Sequence, residues 1–260
     1  MLSLVIIEYN SENEISLFLK KINLIKKRDG LDVEIIISSN STYTIEKQNY
    51  LEKTYSDAQW VFNERNGGFA YGMNRGIEKA KGQFIAVCNP DVEILSGLDD
   101  AMRHMQGSHR IGALGPQIID NEDVIQDSFR NFITVQRFIK RQNRRLSSGK
   151  AVIFDDGLTD LGTKSVPWVI GAFIMISRNA LEIVGGLDEA YFLYCEDMDW
   201  CTRFWENGFK VVYFPTLKVR YEGSRTARKK IKYTVIFAKS LLRYWKKFGF
   251  FSNKVEQSFL

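Results

Sequence analysis

Proline, cysteine and histidine are all scarce in this chain, and no long apolar run occurs. Four prolines and no low-complexity tract argue against long disordered segments. The three cysteines, Cys88, Cys195 and Cys201, are an odd number at no metal-ligand spacing, and they read as reduced thiols of a cytosolic protein. No stretch reaches the roughly 18 apolar residues of a spanning helix. The run Leu2 to Ile7 is too short for a signal-peptide core and lacks a basic leader, so it reads as a first buried strand. P-loop, dinucleotide fingerprint and zinc signature are all missing. The only histidines, His104 and His109, fall near what reads as a solvated helix end.

What is present is ordinary globular material: 260 residues, 45% hydrophobic and 26% charged, enough for one α/β domain with additions. The net charge of +5 is unevenly spread, with basic clusters from Arg137 to Lys150 and from Arg225 to Lys247. A uniformly basic surface would point to nucleic acid. Two clusters, one mixed with large apolar residues, point instead to an anionic membrane surface.

Along the first half, strand and helix signals alternate. Leu4 to Ile7 is followed by Ser11 and Glu14, a capping-box pair, and by Ile15, Phe18, Leu19, Ile22 and Ile25 at helical spacing, with Gly30 as the stop. Val33 to Ile37, Trp60 to Phe62 and Phe84 to Cys88 read as further strands, and Met73 to Lys81 as a helix. Such alternation predicts a mostly parallel sheet with ligands beyond the carboxyl ends of its strands. Three polar turns fall at those ends: Glu8-Tyr9-Asn10, Ser38-Ser39-Asn40 and Asn89-Pro90-Asp91. The second half predicts a strand and turn around Gly115-Pro116, a polar and basic stretch over 127–165, and a strand from Val169 to Ile176. A short helix from Arg178 to Val184, an acidic helix start at Glu196 and a last strand from Val211 to Phe214 complete it.

Three features carry chemistry. Asp91 at a strand end suits Mg²⁺ or Mn²⁺ bridged to a diphosphate, or else caps the next helix. Glu196, Asp197 and Asp199 either complement a helix dipole or supply a general base. Tyr191, Phe192, Tyr194 and Trp200 beside them suit a sugar-binding wall. The Gly-rich stretch Asn66 to Gly72 before a helix allows close backbone approach to an anionic ligand.

Taken in order, these segments resemble the inverting family 2 glycosyltransferases of GT-A fold, most of all their rhamnosyltransferase-like branch. The resemblance runs from about residue 3 to 226. It rests on Asn66 to Ile77, Ala80-Lys81-Gly82, Asn89 to Val92, Gly115-Pro116, Trp168 to Phe173, Gly185 to Asp188, Tyr191 to Asp199, and Gly208 with Pro215. It implies a GT-A domain over 1–225, a Rossmann-like mixed α/β sheet, and a helical extension over 226–260. By position, Asp91 resembles the last acid of the metal-binding DxD motif and Asp197 the catalytic base, with Glu196 and Asp199 as orienting or acceptor-side neighbours. Tyr9, Asn10, Ser39, Asn66, Gly68, Asn74, Arg75 and Asn89 fall in donor-binding segments, and Trp168 and Gly171 resemble the acceptor wall. The implied partners are a nucleotide-diphosphate sugar and a lipid-linked glycan, with dTDP-L-rhamnose the expected donor and UDP-hexose or galactofuranose the alternatives. The implied place is the cytoplasm, peripheral at the inner face of the plasma membrane.

At three positions the chain departs from the family pattern. Glu8 replaces Thr or Ser, Ser39 replaces Asp, and Arg220 replaces a His that completes the metal site in relatives. Arg220 stays protonated and cannot ligate a cation, but it could pair with the diphosphate directly. These departures keep a second class open, a silent glycosyltransferase-like binding protein. Beyond the domain, Ile231, Val235, Phe237, Leu241, Leu242, Trp245 and Phe248 recur at helical spacing among lysines and arginines. This amphipathic helix either packs on the domain or docks on an anionic membrane.

Overall fold

The computed structural model describes residues 1–148, 162–222 and 231–250. Residues 149–161 of the expected basic stretch, and 223–230 and 251–260 around the expected tail, lie outside the described residues.

The chain opens β1 (Leu2–Glu8), α1 (Glu12–Asp29), β2 (Val33–Ser39), α2 (Ile45–Thr54), β3 (Gln59–Phe62), α3 (Phe69–Ile77), β4 (Phe84–Cys88), β5 (Glu93–Ser96) and α4 (Leu98–Gln106). It continues β6 (Ile111–Ile119), β7 (Phe129–Arg130), α5 (Val135–Ser148), β8 (Lys164–Ser165), β9 (Trp168–Val169), β10 (Phe173–Ser177), α6 (Arg178–Val184), α7 (Glu196–Glu206), β11 (Lys210–Arg220) and α8 (Ile231–Phe248). One sheet runs β3-β2-β1-β4-β10-β6-β11-β5, with β8 paired to β11; β7 and β9 form a separate ribbon. Strands β3, β2, β1 and β4 are parallel, as the alternation predicts. The sheet turns mixed at β10, which runs antiparallel to both β4 and β6.

Period-2 alternation divides the core between the two faces. Leu2, Leu4 and Ile6 face α1 and α4, packing on Ile15, Phe18, Leu19, Ile22, Leu98 and Met105. Val5 and Ile7 face the other way, toward Met73 and Ile77 of α3 in the layer that also holds α7 and α8. Helix α1 ends where Gly30 takes a left-handed φ of 62° and returns its N–H to the Lys26 carbonyl.

Several expectations are corrected. Ser11 makes no side-chain cap; its hydroxyl instead accepts from the Tyr9 N–H at 3.2 Å. Helix α3 begins at Phe69, because Gly68 already turns the chain, and it ends at Ile77 in tighter turns. β6 runs straight through Gly115-Pro116, the turn falling at 120–124, where Asp120 accepts from the Glu122 and Val124 N–H groups. The expected strand over 169–176 is broken at Ile170, Gly171 and Ala172 into β9 and β10. β11 extends to Arg220 across a register shift around Pro215, which cannot donate to the ladder. Helices α2 and α4 and strand β5 add to the expected elements; α4 buries Leu98, Ala101 and Met105 at helical spacing, whereas Leu51 is the one buried side chain of α2.

Phe173 in β10 is fully buried at the centre of the sheet. Phe173→Ala is expected to cost about 3–5 kcal/mol, read as a lowered melting temperature.

Candidate functional site

At the carboxyl end of β1, Glu8 is completely buried. Its carboxylate accepts from the Ser39 hydroxyl at 2.5 Å, the Ser11 N–H at 2.8 Å, the Tyr43 hydroxyl at 3.0 Å and the Ser41 hydroxyl at 3.1 Å. A buried carboxylate is tolerated only with such a set of donors. Burial, with the Glu8 charge adding to it, pushes the Tyr43 phenol up to about 12. The β1 and β2 turns are thereby locked together, and the Asn10 N–H donates to Ser41 Oγ at 2.7 Å. Tyr9 and Asn10 are exposed at this edge, Asn10 in a left-handed conformation with φ 52°. Ser39, expected at the nucleotide, is fully buried and gives its hydroxyl to Glu8.

The Gly-rich stretch joins the same edge. Asn66 Oδ1 accepts the Gly68 N–H at 3.0 Å, and Asn40 Nδ2 donates to the Gly68 carbonyl at 2.9 Å. Gly68 has φ 96°, and a Cβ there would lie 2.2 Å from the Phe192 carbonyl oxygen, so only glycine fits. The next N–H, of Phe69, donates to that carbonyl at 2.9 Å. The Gly-rich stretch is therefore tied to the segment that leads into α7.

A second tie brings the two principal acids together. Asp91 lies exposed in the turn after β4, where the Asn89 N–H donates to the Ala172 carbonyl at 3.0 Å. Next to Ala172, the Gly171 N–H donates to Asp197 Oδ2 at 2.9 Å, while the Met198 N–H donates to Oδ1 at 2.8 Å. Asp91 and Asp197 thus flank one two-residue stretch. Partial desolvation by the surrounding chain raises the pKa of the exposed Asp91, and the charge of Glu14 adds to the rise. Burial also raises Asp197, opposed by the Gly171 and Met198 N–H groups and by the positive charge of Arg130. Glu196 is 6% exposed, its Oε2 lacks a hydrogen-bond partner, and burial followed by repulsion from Asp197 pushes its pKa well above the carboxylate range.

Other expected residues are engaged elsewhere. Asn74 donates to the Leu187 carbonyl and accepts the Leu187 N–H, both at 2.9 Å, and Arg75 pairs with Glu78 and Glu189. Both tie α3 to the 187–189 segment. Trp168 is buried, donating its indole N–H to the Asn131 carbonyl at 3.0 Å, with Arg130 over its ring. Asp199, expected on the acceptor side, is completely buried between Arg203 at 2.7 Å and Lys247 at 2.6 Å. Arg220, expected to meet a diphosphate, pairs with Asp123 at 2.8 Å and Glu93 at 3.2 Å. The Glu8 cluster and the Lys247 contact were not anticipated, because each joins residues distant in sequence.

Among the described residues, no three or more His, Cys, Asp and Glu side chains form a group able to hold a metal ion. The exposed Asp91 carboxylate nevertheless fits Mg²⁺ or Mn²⁺, which bind through one or two carboxylates while substrate phosphates complete the shell.

A buried carboxyl with a raised pKa binds its proton more tightly folded than unfolded. The stability it contributes is present at low pH and is lost as pH rises through the raised value. Glu196→Gln keeps the shape but cannot ionise, so its melting temperature should fall less than the parent's between pH 5 and pH 8. An equal fall in both proteins would contradict the burial argument.

The glycosyl transferase family 2 model matches residues 3–185. An N-acetylglucosaminyl-diphospho-decaprenol L-rhamnosyltransferase of Mycobacterium tuberculosis (strain CDC 1551 / Oshkosh) is 24% identical over 247 residues, 87% of this chain and 77% of that protein. Rhamnosyltransferase WbbL of Escherichia coli (strain K12) is 24% identical over 231 residues, covering 83% and 81%. The fold is similar to that of GalNAc-T7 solved with UDP, GalNAc and Mn²⁺ (TM-score 0.63, 16% identity, 85% of this chain and 43% of that one). It is also similar to a mannosyltransferase of Pyrobaculum calidifontis solved with GDP-Man and Mn²⁺ (TM-score 0.61, 17% identity, 95% and 63%). The family match, spanning the Gly-rich stretch, Asp91 and Gly171, makes the chain a member of glycosyl transferase family 2.

Proposed function

We propose that this enzyme transfers L-rhamnose from dTDP-rhamnose, with inversion, to a hydroxyl of a lipid-linked glycan in bacterial O-antigen or capsule assembly. The observation that carries the reaction is the pair of hydrogen bonds at Gly171 and Ala172, which keeps Asp197 and the Asp91 turn on either side of one short segment. The sugar and acceptor rest on the two rhamnosyltransferases, one of them named for a diphospho-decaprenol substrate.

Asp197 acts as the general base. Its two oxygens each accept one backbone N–H, which fixes the carboxylate and leaves lone pairs for the acceptor hydroxyl. Its raised pKa makes it a stronger base than an exposed aspartate. As the acceptor oxygen bonds to the anomeric carbon, its proton passes to Asp197. The bond from that carbon to the diphosphate oxygen breaks, and the electron pair leaves with the nucleoside diphosphate. Asp91 would hold a divalent cation with the donor phosphates, and when bound that cation neutralises the leaving diphosphate. Tyr9, Asn10, Asn66 and Gly68 border the donor side in this reading. Asn74 supports it through the Leu187 backbone, Arg75 through its ion pair with Glu189 and Asn89 through its N–H on the Ala172 carbonyl, and Trp168 walls the acceptor side.

Nucleotide release from a donor panel tests this reading. Asp197→Asn should lower kcat by about 10²–10⁴-fold, the range of a general base, while donor affinity is kept. EDTA should abolish release and Mg²⁺ or Mn²⁺ restore it. Turnover of Asp197→Asn within tenfold of the parent would overturn the assignment.

The acceptor's lipid makes membrane docking part of the same proposal. Neither α5 nor α8 contains an acidic residue. On α8, Ile231, Val235 and Leu242 are exposed in one stripe with Lys232, Lys239 and Lys246 beside them. On α5, Ile139 is exposed next to Lys140. No helix among the described residues is long and apolar enough to cross a membrane. This basic, apolar face fits peripheral docking on anionic lipid at the inner face of the plasma membrane. The protein should co-sediment with phosphatidylglycerol vesicles, less so at high salt, and Leu242→Glu should weaken it. Equal sedimentation with neutral vesicles, or none with either, would count against docking.

A further inference from the structure

The buried face of α8 reaches the helix that carries Asp197. Tyr244 and Thr202 share a hydroxyl hydrogen bond at 2.8 Å, and Ser240 Oγ donates to the Leu193 carbonyl at 2.8 Å. Lys247 Nζ donates to Asp199 Oδ2 at 2.6 Å and to Asp188 Oδ2 at 2.9 Å. Asp199 is fully buried, and its other oxygen accepts from Arg203 Nε at 2.7 Å. Arg203 in turn donates to the Val184 and Gly186 carbonyls.

Two strained residues lie between these tethers. Tyr194 and Cys195 have φ of 71° and 67°, left-handed values that non-glycine residues keep only where the surroundings hold them. Ser240 grips the residue before this pair, and Lys247 grips Asp199, two residues beyond Asp197. The Asp199 N–H closes the first turn of α7 on the Cys195 carbonyl at 2.8 Å, so a shift of Asp199 passes directly into the strained start.

We infer that the Lys247–Asp199 ion pair is a positioning device that holds Asp197 on the Gly171 N–H, making α8 part of the catalytic apparatus. It rests on the reading of Asp197 as the base. Lys247, Asp199 and Asp197 all lie beyond residue 185, where the family match ends. Removing the ammonium leaves a buried carboxylate with Arg203 as its remaining cation and loosens the turn that aims Asp197. Small misplacements of a reacting group cost up to about 10²-fold in rate.

The test compares Lys247→Met, Lys247→Arg and Asp197→Asn in the full chain, at a temperature where melting curves show each to be folded. Lys247→Met is expected to lose about tenfold or more in kcat with donor KM within twofold of the parent, and Lys247→Arg to recover most of it. A purely structural lysine would lower the melting temperature and leave kcat of the folded protein intact, and that result overturns the inference. So does a loss that arginine does not repair. Should Lys247→Met fail to fold, Lys247→Gln carries the same expectation. If Asp197→Asn itself turns over normally, the failure lies with the base assignment and not with Lys247.

Discussion

The short stretch of Gly171 and Ala172 is the hinge on which the site depends. Its N–H holds the carboxylate of Asp197, and its carbonyl holds the turn that presents Asp91. Two acids 106 positions apart in the numbering are tied to one another through this stretch. The break between β9 and β10 serves it, because a continuous strand would spend those backbone groups on ladder pairing. Gly171 suits the place, since a Cβ there would crowd Asp197 at 3.2 Å.

Around that hinge the protein buries charge and supplies partners for most of it. Glu8 is satisfied by four donors, and Asp199 by two cations from different helices. Glu196 is the contrast, with one oxygen lacking a partner and a pKa driven up by burial. Orphaned polar groups of this kind concentrate where chemistry takes place. Arg220, by comparison, is neutralised at the far end of β11 by Glu93 and Asp123.

Much of this was legible in the sequence. Continuous β-branched runs gave the parallel strands, Gly30 gave a helix stop, and the motif order pointed to the GT-A fold that the structure has. The placement of polar turns at strand ends located the edge where Asn10, Gly68 and Asp91 gather. What the sequence hid depends on long-range pairing. Glu8 reads as an isolated acid until Ser39 is found opposite it in register, with its hydroxyl on the Glu8 carboxylate. The resemblance implies donor binding for Asn74 and Arg75, yet both reach more than a hundred residues along the chain to Leu187 and Glu189. Helix α8 shows an apolar period, but only packing separates the buried Leu241 and Tyr244 from the exposed Ile231, Val235 and Leu242.

In the proposed reaction, with Asp197 as base, Asp91 on the diphosphate side and no second carboxylate nucleophile required, the configuration inverts. The anomeric configuration of the product, read by proton NMR against that of the donor, tests this account most directly. Inversion is the predicted result; retention would contradict Asp197 as base in a single displacement.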